Sequence, residues 1–148
     1  MIELNNVAYS YNGGALLSDI SISLAPGSFH FLTGPSGAGK TTLLKLCYGA
    51  LRPTAGRVAV FGKDLSALSR DEIAGLRRRM GVVHQDCQFL DHLNVSENIA
   101  LPLDVSGRAI DDAEALEDLS ELMAWVGLTH RAEAFPPELS GGERQRAA

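Results

Sequence analysis

The 148-residue chain carries 13 basic and 18 acidic side chains, for a net charge of −5. An acidic balance argues against a general nucleic-acid binder, which presents a basic face, and no run approaches the roughly 18 apolar residues that span a bilayer. The first eleven residues lack the basic start of a signal peptide, and Cys47 and Cys87 fit no metal or CxxC spacing, which favours a reduced, cytoplasmic setting.

In chain order, Ile2, Leu4 and Val7 alternate with polar residues, and Ile20, Ile22 and Leu24 repeat the pattern after the Asn12-Gly13-Gly14 turn. Two such runs predict an antiparallel pair of half-exposed strands. Pro26-Gly27 breaks the chain. Phe29 to Thr33 is a denser apolar run, the composition of a central parallel strand. It leads into Gly34-Pro35-Ser36-Gly37-Ala38-Gly39-Lys40-Thr41, followed by Thr42 and a helix-prone stretch to Tyr48, with Gly49 as its stop. Strand, GxxxxGK[ST] and helix in succession form a phosphate cradle. Glycines let backbone N–H groups approach an anion, the helix N-terminus adds its dipole, Lys40 neutralises β- and γ-phosphate oxygens, and the Thr41 hydroxyl sits on Mg²⁺. Kinases, GTPases and ATPases share this cradle, so it does not fix the reaction.

Gly56 to Phe61 reads as another strand, closed by Gly62-Lys63-Asp64. Ser69 with Glu72 is a capping box that opens a helix from Arg70 to about Arg79, whose basic last turn suits the dipole. Met80 to His84 reads as a short buried strand ending at Gln85. Asn94 and Glu97 cap a short helix through Leu101 that Pro102 disrupts. Ile110, Ala113, Leu116, Leu119, Leu122, Met123 and Val126 fall at helical spacing up to Gly127, and Asp111, Asp112, Glu114, Glu117, Asp118 and Glu121 form a solvated face. His30, His84, His92 and His130 show no ligand spacing, so no metal is expected beyond one that arrives with phosphates. In Leu139-Ser140-Gly141-Gly142-Glu143, Ser140 and Glu143 form another capping box, and Gly141 and Gly142 leave the first helical N–H groups accessible. That is a second anion-binding helix start, and its helix has not closed by Ala148, so the sequence reads as cut.

The phosphate loop, a glutamine after an apolar run and LSGGE, in this order, resemble the ATP-binding cassette (ABC) ATPases over nearly the whole chain. The resemblance implies an α/β fold: a RecA-like P-loop NTPase core with an N-terminal antiparallel β subdomain and an inserted α-helical subdomain, incomplete at the C-terminus. Residues 1–93 would hold the β subdomain and the first half of the core, 94–139 the helical subdomain, and 140–148 the signature motif. ATP and Mg²⁺ are the implied cofactors. Tyr11 would stack on adenine, with Tyr9 a weaker rival. Gly34, Pro35, Ser36, Gly37, Ala38, Gly39, Lys40, Thr41 and Thr42 would hold the phosphates, and Thr41 and Gln85 would reach Mg²⁺. Gln85 would also touch the attacking water and sense a membrane partner. In a head-to-tail homodimer, Ser140, Gly141 and Gly142 would cap the γ-phosphate held by the opposite subunit.

The runs Leu76-Arg77-Arg78-Arg79, Asn98 to Leu103 and Trp125-Val126-Gly127-Leu128 look most like the cell-division branch of the family. That branch implies an integral membrane permease as partner (FtsX-like) and a peripheral place on the inner face of the membrane. His84 departs from the family, which usually places Phe there. Alternatives are an ATPase subunit of a lipoprotein-release or macrolide exporter, or a nucleotide-gated interaction module with little turnover. The Walker B aspartate, catalytic glutamate and switch histidine that the family carries beyond LSGGE are not among these residues. Loss of a general base typically costs on the order of 10² to 10⁴ in rate, so these residues alone are expected to turn over little ATP.

Overall fold

A computed structural model describes residues 1–11, 13–105 and 113–148, which divide into two compact units, Met1–Met80 and Gly81–Ala148. The predicted turn residue Asn12, together with Ile110, Asp111 and Asp112 of the predicted fourth helix, lies outside the described residues.

The first unit is built on a four-stranded antiparallel sheet in the order β2-β1-β3-β4. The strands are β1 (Ile2–Tyr11), β2 (Gly14–Leu24), β3 (Ala55–Val60) and β4 (Lys63–Asp64). Alternation in β1 is not strict, because Leu4 and Val7 are an odd number of residues apart yet both are buried. A bulge reconciles them: the register shifts between Leu4 and Val7, and Asn6 sits at φ 47°. Across from it Asp19, at φ 53°, accepts from Asn6 Nδ2 at 2.6 Å, so the two strands kink together. Gly56 (φ 77°), the second residue of β3, stands where a Cβ would run into the Asn6 carbonyl oxygen, so only glycine fits opposite the bulge.

Helix α1 (Lys40–Cys47) covers this sheet. Its Leu43, Leu46 and Cys47 join Leu4, Val7, Leu17, Val58 and Val60 in one core, completed by Leu65 and by Leu76 of α2 (Arg70–Arg77). Leu46 has 0% exposure, and truncating such a leucine to alanine costs about 2 to 5 kcal/mol. Helix α2 begins in the expected capping box and ends at Arg77, short of Arg79. Arg77 then caps α1, donating from Nε to Tyr48 O at 3.0 Å and from Nη2 to Gly49 O at 2.6 Å. Its charge therefore serves the carbonyl end of a neighbouring helix as well as its own.

Two predicted strands are not formed. Residues 29–33 and 80–84 have no strand structure, and Phe29, Phe31 and Val83 are 80%, 83% and 74% exposed. Their composition is that of buried strands, but neither run belongs to a hydrogen-bonded ladder among the described residues.

The second unit packs α3 (Val95–Val105), α4 (Ala113–Trp125) and α5 (Gly141–Ala147) around Val95, Met123, Leu128 and Leu139. Helix α3 continues past Leu101 with Pro102 inside it, so proline removes one backbone donor without ending the helix. In α4 the inward face is narrower than the periodicity suggests. Ala115 and Met123 are buried and Leu119 is partly so, whereas Leu116 and Leu122 are 50% and 42% exposed. Buried Asn98 stitches the preceding segment to α3. Its Nδ2 donates to Leu90 O, Leu93 O and Asn94 O, and its Oδ1 accepts from Leu90 N at 2.9 Å.

Candidate functional site

The phosphate loop lies in the first unit, between residues 29–33 and α1. Gly34, Gly37 and Gly39 adopt φ 149°, 81° and 90°, and residues 34–38 are exposed. A short turn, with Ala38 N donating to Pro35 O at 3.3 Å, folds the loop back on itself. Gly39 is the N-cap of α1 and offers no side-chain bond, and the first intrahelical bond runs from Leu43 N to Gly39 O. The N–H groups of Lys40, Thr41 and Thr42 thus precede the helical ladder, which is the arrangement that receives an anion.

Lys40 Nζ donates to Gly34 O at 2.8 Å and to Pro35 O at 2.7 Å, drawing its ammonium over the loop. Phosphate oxygens are stronger acceptors than carbonyls, so the same ammonium is placed to exchange partners. Thr41 is exposed on the first turn and Thr42 is buried. The hydroxyl of Thr41 is therefore the one available to an ion. Packing fixes where the loop meets the sheet: a Cβ on Gly39 would lie 2.8 Å from Leu17 Cδ2 of β2.

Tyr11 ends β1, 49% exposed, and its ring meets that of Tyr9 edge-on at 4.8 Å. Burial, then the hydrogen bond and charge of Tyr11, push the Tyr9 phenol above its ordinary range. Tyr9 is thus the inner, supporting ring and Tyr11 the outer one with a face to offer. Cys47 is buried, and desolvation pushes its thiol up, as expected of an inert cysteine.

Gln85 and Ser140–Gly142 belong to the second unit. Gln85 is exposed in a turn, its carbonyl 4.0 Å from Cys87 Sγ, and Cys87 bends the chain at φ 42°. Phe89 lies beneath the Arg144 guanidinium, 5.2 Å from its ring centroid, and Arg144 Nη1 donates to Pro136 O at 2.9 Å. The segment after Gln85 is in this way tied to α5.

Ser140 caps α5 as the sequence predicts. Its N and Oγ donate to Glu143 Oε2 at 2.8 and 2.7 Å, and Glu143 N donates back to Ser140 Oγ at 3.3 Å. The motif did not disclose the other side of Glu143. Arg131 Nε donates to Oε1 at 2.8 Å, and His130 Nε2 lies 3.9 Å from the same oxygen. The Ser140 hydrogen bonds first, and Arg131 after them, hold the Glu143 carboxyl down to about 2.

Two surface grooves among the described residues lie apart from residues 34–42. One, of about 440 Å³, is a shallow face of α4 at Asp118, Glu121, Leu122 and Trp125. An apolar groove of about 210 Å³, with His30, Phe31 and Leu32 on one wall and Leu43 and Leu44 on another, is smaller than the roughly 300 Å³ of a usual ligand pocket. Phosphate loops grip by backbone rather than by enclosure, so geometry identifies this site better than volume does. No group of three carboxylate, imidazole or thiol side chains suited to a metal occurs among the described residues, and none of the described helices is long and apolar enough to cross a membrane.

Comparison with known proteins places these features in a family. The ABC transporter family profile matches residues 17–148. The cell division ATP-binding protein FtsE of Bacillus subtilis is 41% identical over 149 residues, with 100% of this chain and 64% of the relative covered. The protein of the same name from Escherichia coli K12 is 42% identical over 147 residues, with 99% and 65% covered. Among solved structures, the dimeric post-hydrolysis state of the ATP-binding cassette MJ0796 with ADP and phosphate superimposes at a TM-score of 0.90 and 30% identity, covering 99% of this chain and 66% of that one. The chain spans just under two-thirds of the length of these relatives.

Proposed function

Because the chain belongs to the ABC transporter family, we propose that it is the nucleotide-binding part of an ATPase that couples ATP binding and hydrolysis to cell division through an integral membrane partner of the FtsX type, at the inner face of the membrane. The observation that carries the reading is the phosphate loop: an uncapped helix start, three left-handed glycines and an ammonium drawn across them. The names of the relatives from B. subtilis and E. coli support the cell-division assignment.

In this reading the Gly34–Thr42 backbone and Lys40 bind the triphosphate, and the Tyr11 ring packs on the adenine. Mg²⁺ takes oxygen ligands and keeps several waters. The exposed Thr41 hydroxyl and the Gln85 amide oxygen are each the kind of donor such an ion takes when it arrives on the phosphates, where it would offset their charge. Ser140, Gly141 and Gly142 meet the γ-phosphate held by a second copy arranged head-to-tail; that the neighbouring MJ0796 structures are dimeric supports pairing of two copies. Catalysis then rests on positioned charge rather than on covalent chemistry.

The test is steady-state phosphate release by the native protein, alone and with its membrane partner. Turnover that Lys40→Ala abolishes is the expected result. ATP binding without turnover under either condition would replace the enzyme with a nucleotide-gated interaction module.

A further inference from the structure

Two helices of this protein start in the same way, and the difference between them is informative. In α2, Ser69 N and Oγ donate to Glu72 Oε2 at 2.8 and 2.9 Å, and Glu72 N donates to Ser69 Oγ at 3.3 Å. The bonds at Ser140 and Glu143 match these within 0.2 Å. A box of this kind is therefore sufficient to start a short helix. Yet Glu72 is exposed, whereas the Glu143 side chain is 11% exposed and its remaining oxygen is held by Arg131.

Arg131 is itself fixed. It ends a one-turn 3-10 segment, Thr129–Arg131, in which its N donates to Leu128 O at 2.8 Å and its O accepts from Ala134 N at 3.0 Å. Leu128 has no exposed surface. The guanidinium thus reaches Glu143 from a backbone anchored in the core, and capping alone does not require it.

The Ser140 hydroxyl has one proton, and it is given to Glu143 Oε2. An arriving phosphate would compete with the carboxylate for that proton and would be repelled by its charge. A guanidinium on the far oxygen lessens both effects, because it neutralises the carboxylate and keeps it from turning toward the phosphate. We propose that Arg131 is a positioning residue for Ser140: by holding Glu143 from behind, it lets the Ser140 hydroxyl turn to the triphosphate of a second copy. The inference rests on the assignment of Ser140–Gly142 to that phosphate.

The experiment measures ATP-driven association by light scattering, and kcat and KM for ATP, in the native protein. Arg131→Met weakens association and lowers kcat by roughly tenfold or more, the scale of one lost hydrogen bond to a charged group, with KM changed little because the phosphate loop is intact. Arg131→Lys retains most of the function. Adding Glu143→Gln to Arg131→Met recovers much of the loss, since a neutral amide needs no counter-charge. A role in packing alone predicts no such recovery, so a double variant as impaired as Arg131→Met, or an Arg131→Met protein that associates normally, overturns the proposal. If Arg131→Met does not fold by circular dichroism, the Lys variant and the double variant decide, and an impaired Lys variant together with an unrecovered double variant overturns it. Ser140→Arg is the control for the underlying assignment: normal association in that variant removes the assignment and the proposal together, whereas blocked association there with normal behaviour of Arg131→Met removes the proposal alone.

Discussion

Gly39 carries two constraints at once, a left-handed backbone and a wall of leucine against its α-carbon. With φ at 90° and Leu17 Cδ2 2.8 Å from a Cβ, Gly39→Ala strains the loop by about 1 to 3 kcal/mol and moves it away from β2. Weaker nucleotide binding and a lower melting temperature are expected, measured by titration and thermal denaturation. Asn98 is the corresponding case in the second unit. Asn98→Ala leaves the Leu90 N–H without its acceptor and removes the Nδ2 donor to the carbonyls of residues 90, 93 and 94, of which 90 and 94 keep backbone donors in Leu93 N and residue 98 N; a loss of about 1 to 3 kcal/mol is readable in urea unfolding. Glu143 adds a pH dependence. Its carboxyl is held at about 2 against an ordinary 4.5, so its contribution is complete above about 4.5 and fades as pH falls toward 2. Glu143→Gln should flatten the stability profile in that window. The loop residues and Ser140 were legible because their motifs are local and each residue type has one job. Arg131 and Asn98 were not: one reaches its partner across twelve residues, and the other follows Ser96 and Glu97 as one more polar residue of a first helical turn.

Helix starts followed from sequence because capping is written within four residues. Ser69 and Glu72 open α2, Asn94 and Glu97 precede α3, and Ser140 and Glu143 open α5. Ser69→Ala removes one such cap, and a loss of about 1 kcal/mol is expected from denaturant melts. Strands at 29–33 and 80–84 were expected from composition and did not form. A strand is a pairing, and no local pattern reveals whether a partner exists. The same limit explains α4, where apolar spacing was right but Leu116 and Leu122 face outward. Trp125, the single tryptophan, is 85% exposed at the end of that helix. Its fluorescence should therefore be quenched by acrylamide nearly as efficiently as that of a free indole, and a shielded, blue-shifted emission would contradict the orientation of α4 described here.

At the scale of the whole molecule, the two motifs that gave the sequence its meaning fall in different units, the phosphate loop in Met1–Met80 and LSGGE in Gly81–Ala148. The family and the antiparallel sheet were legible, because motif order and hydrophobic period are properties of the chain itself. Whether the apolar runs 29–33 and 80–84 are buried depends on long-range pairing and was not. The function of the whole molecule rests on residues 34–42 gripping a triphosphate. Calorimetric titration of the native protein with MgATP, beside its Lys40→Ala variant, tests this directly. Saturable binding that the variant loses while keeping the same melting profile is the predicted result, and equal affinity in the two proteins would contradict it.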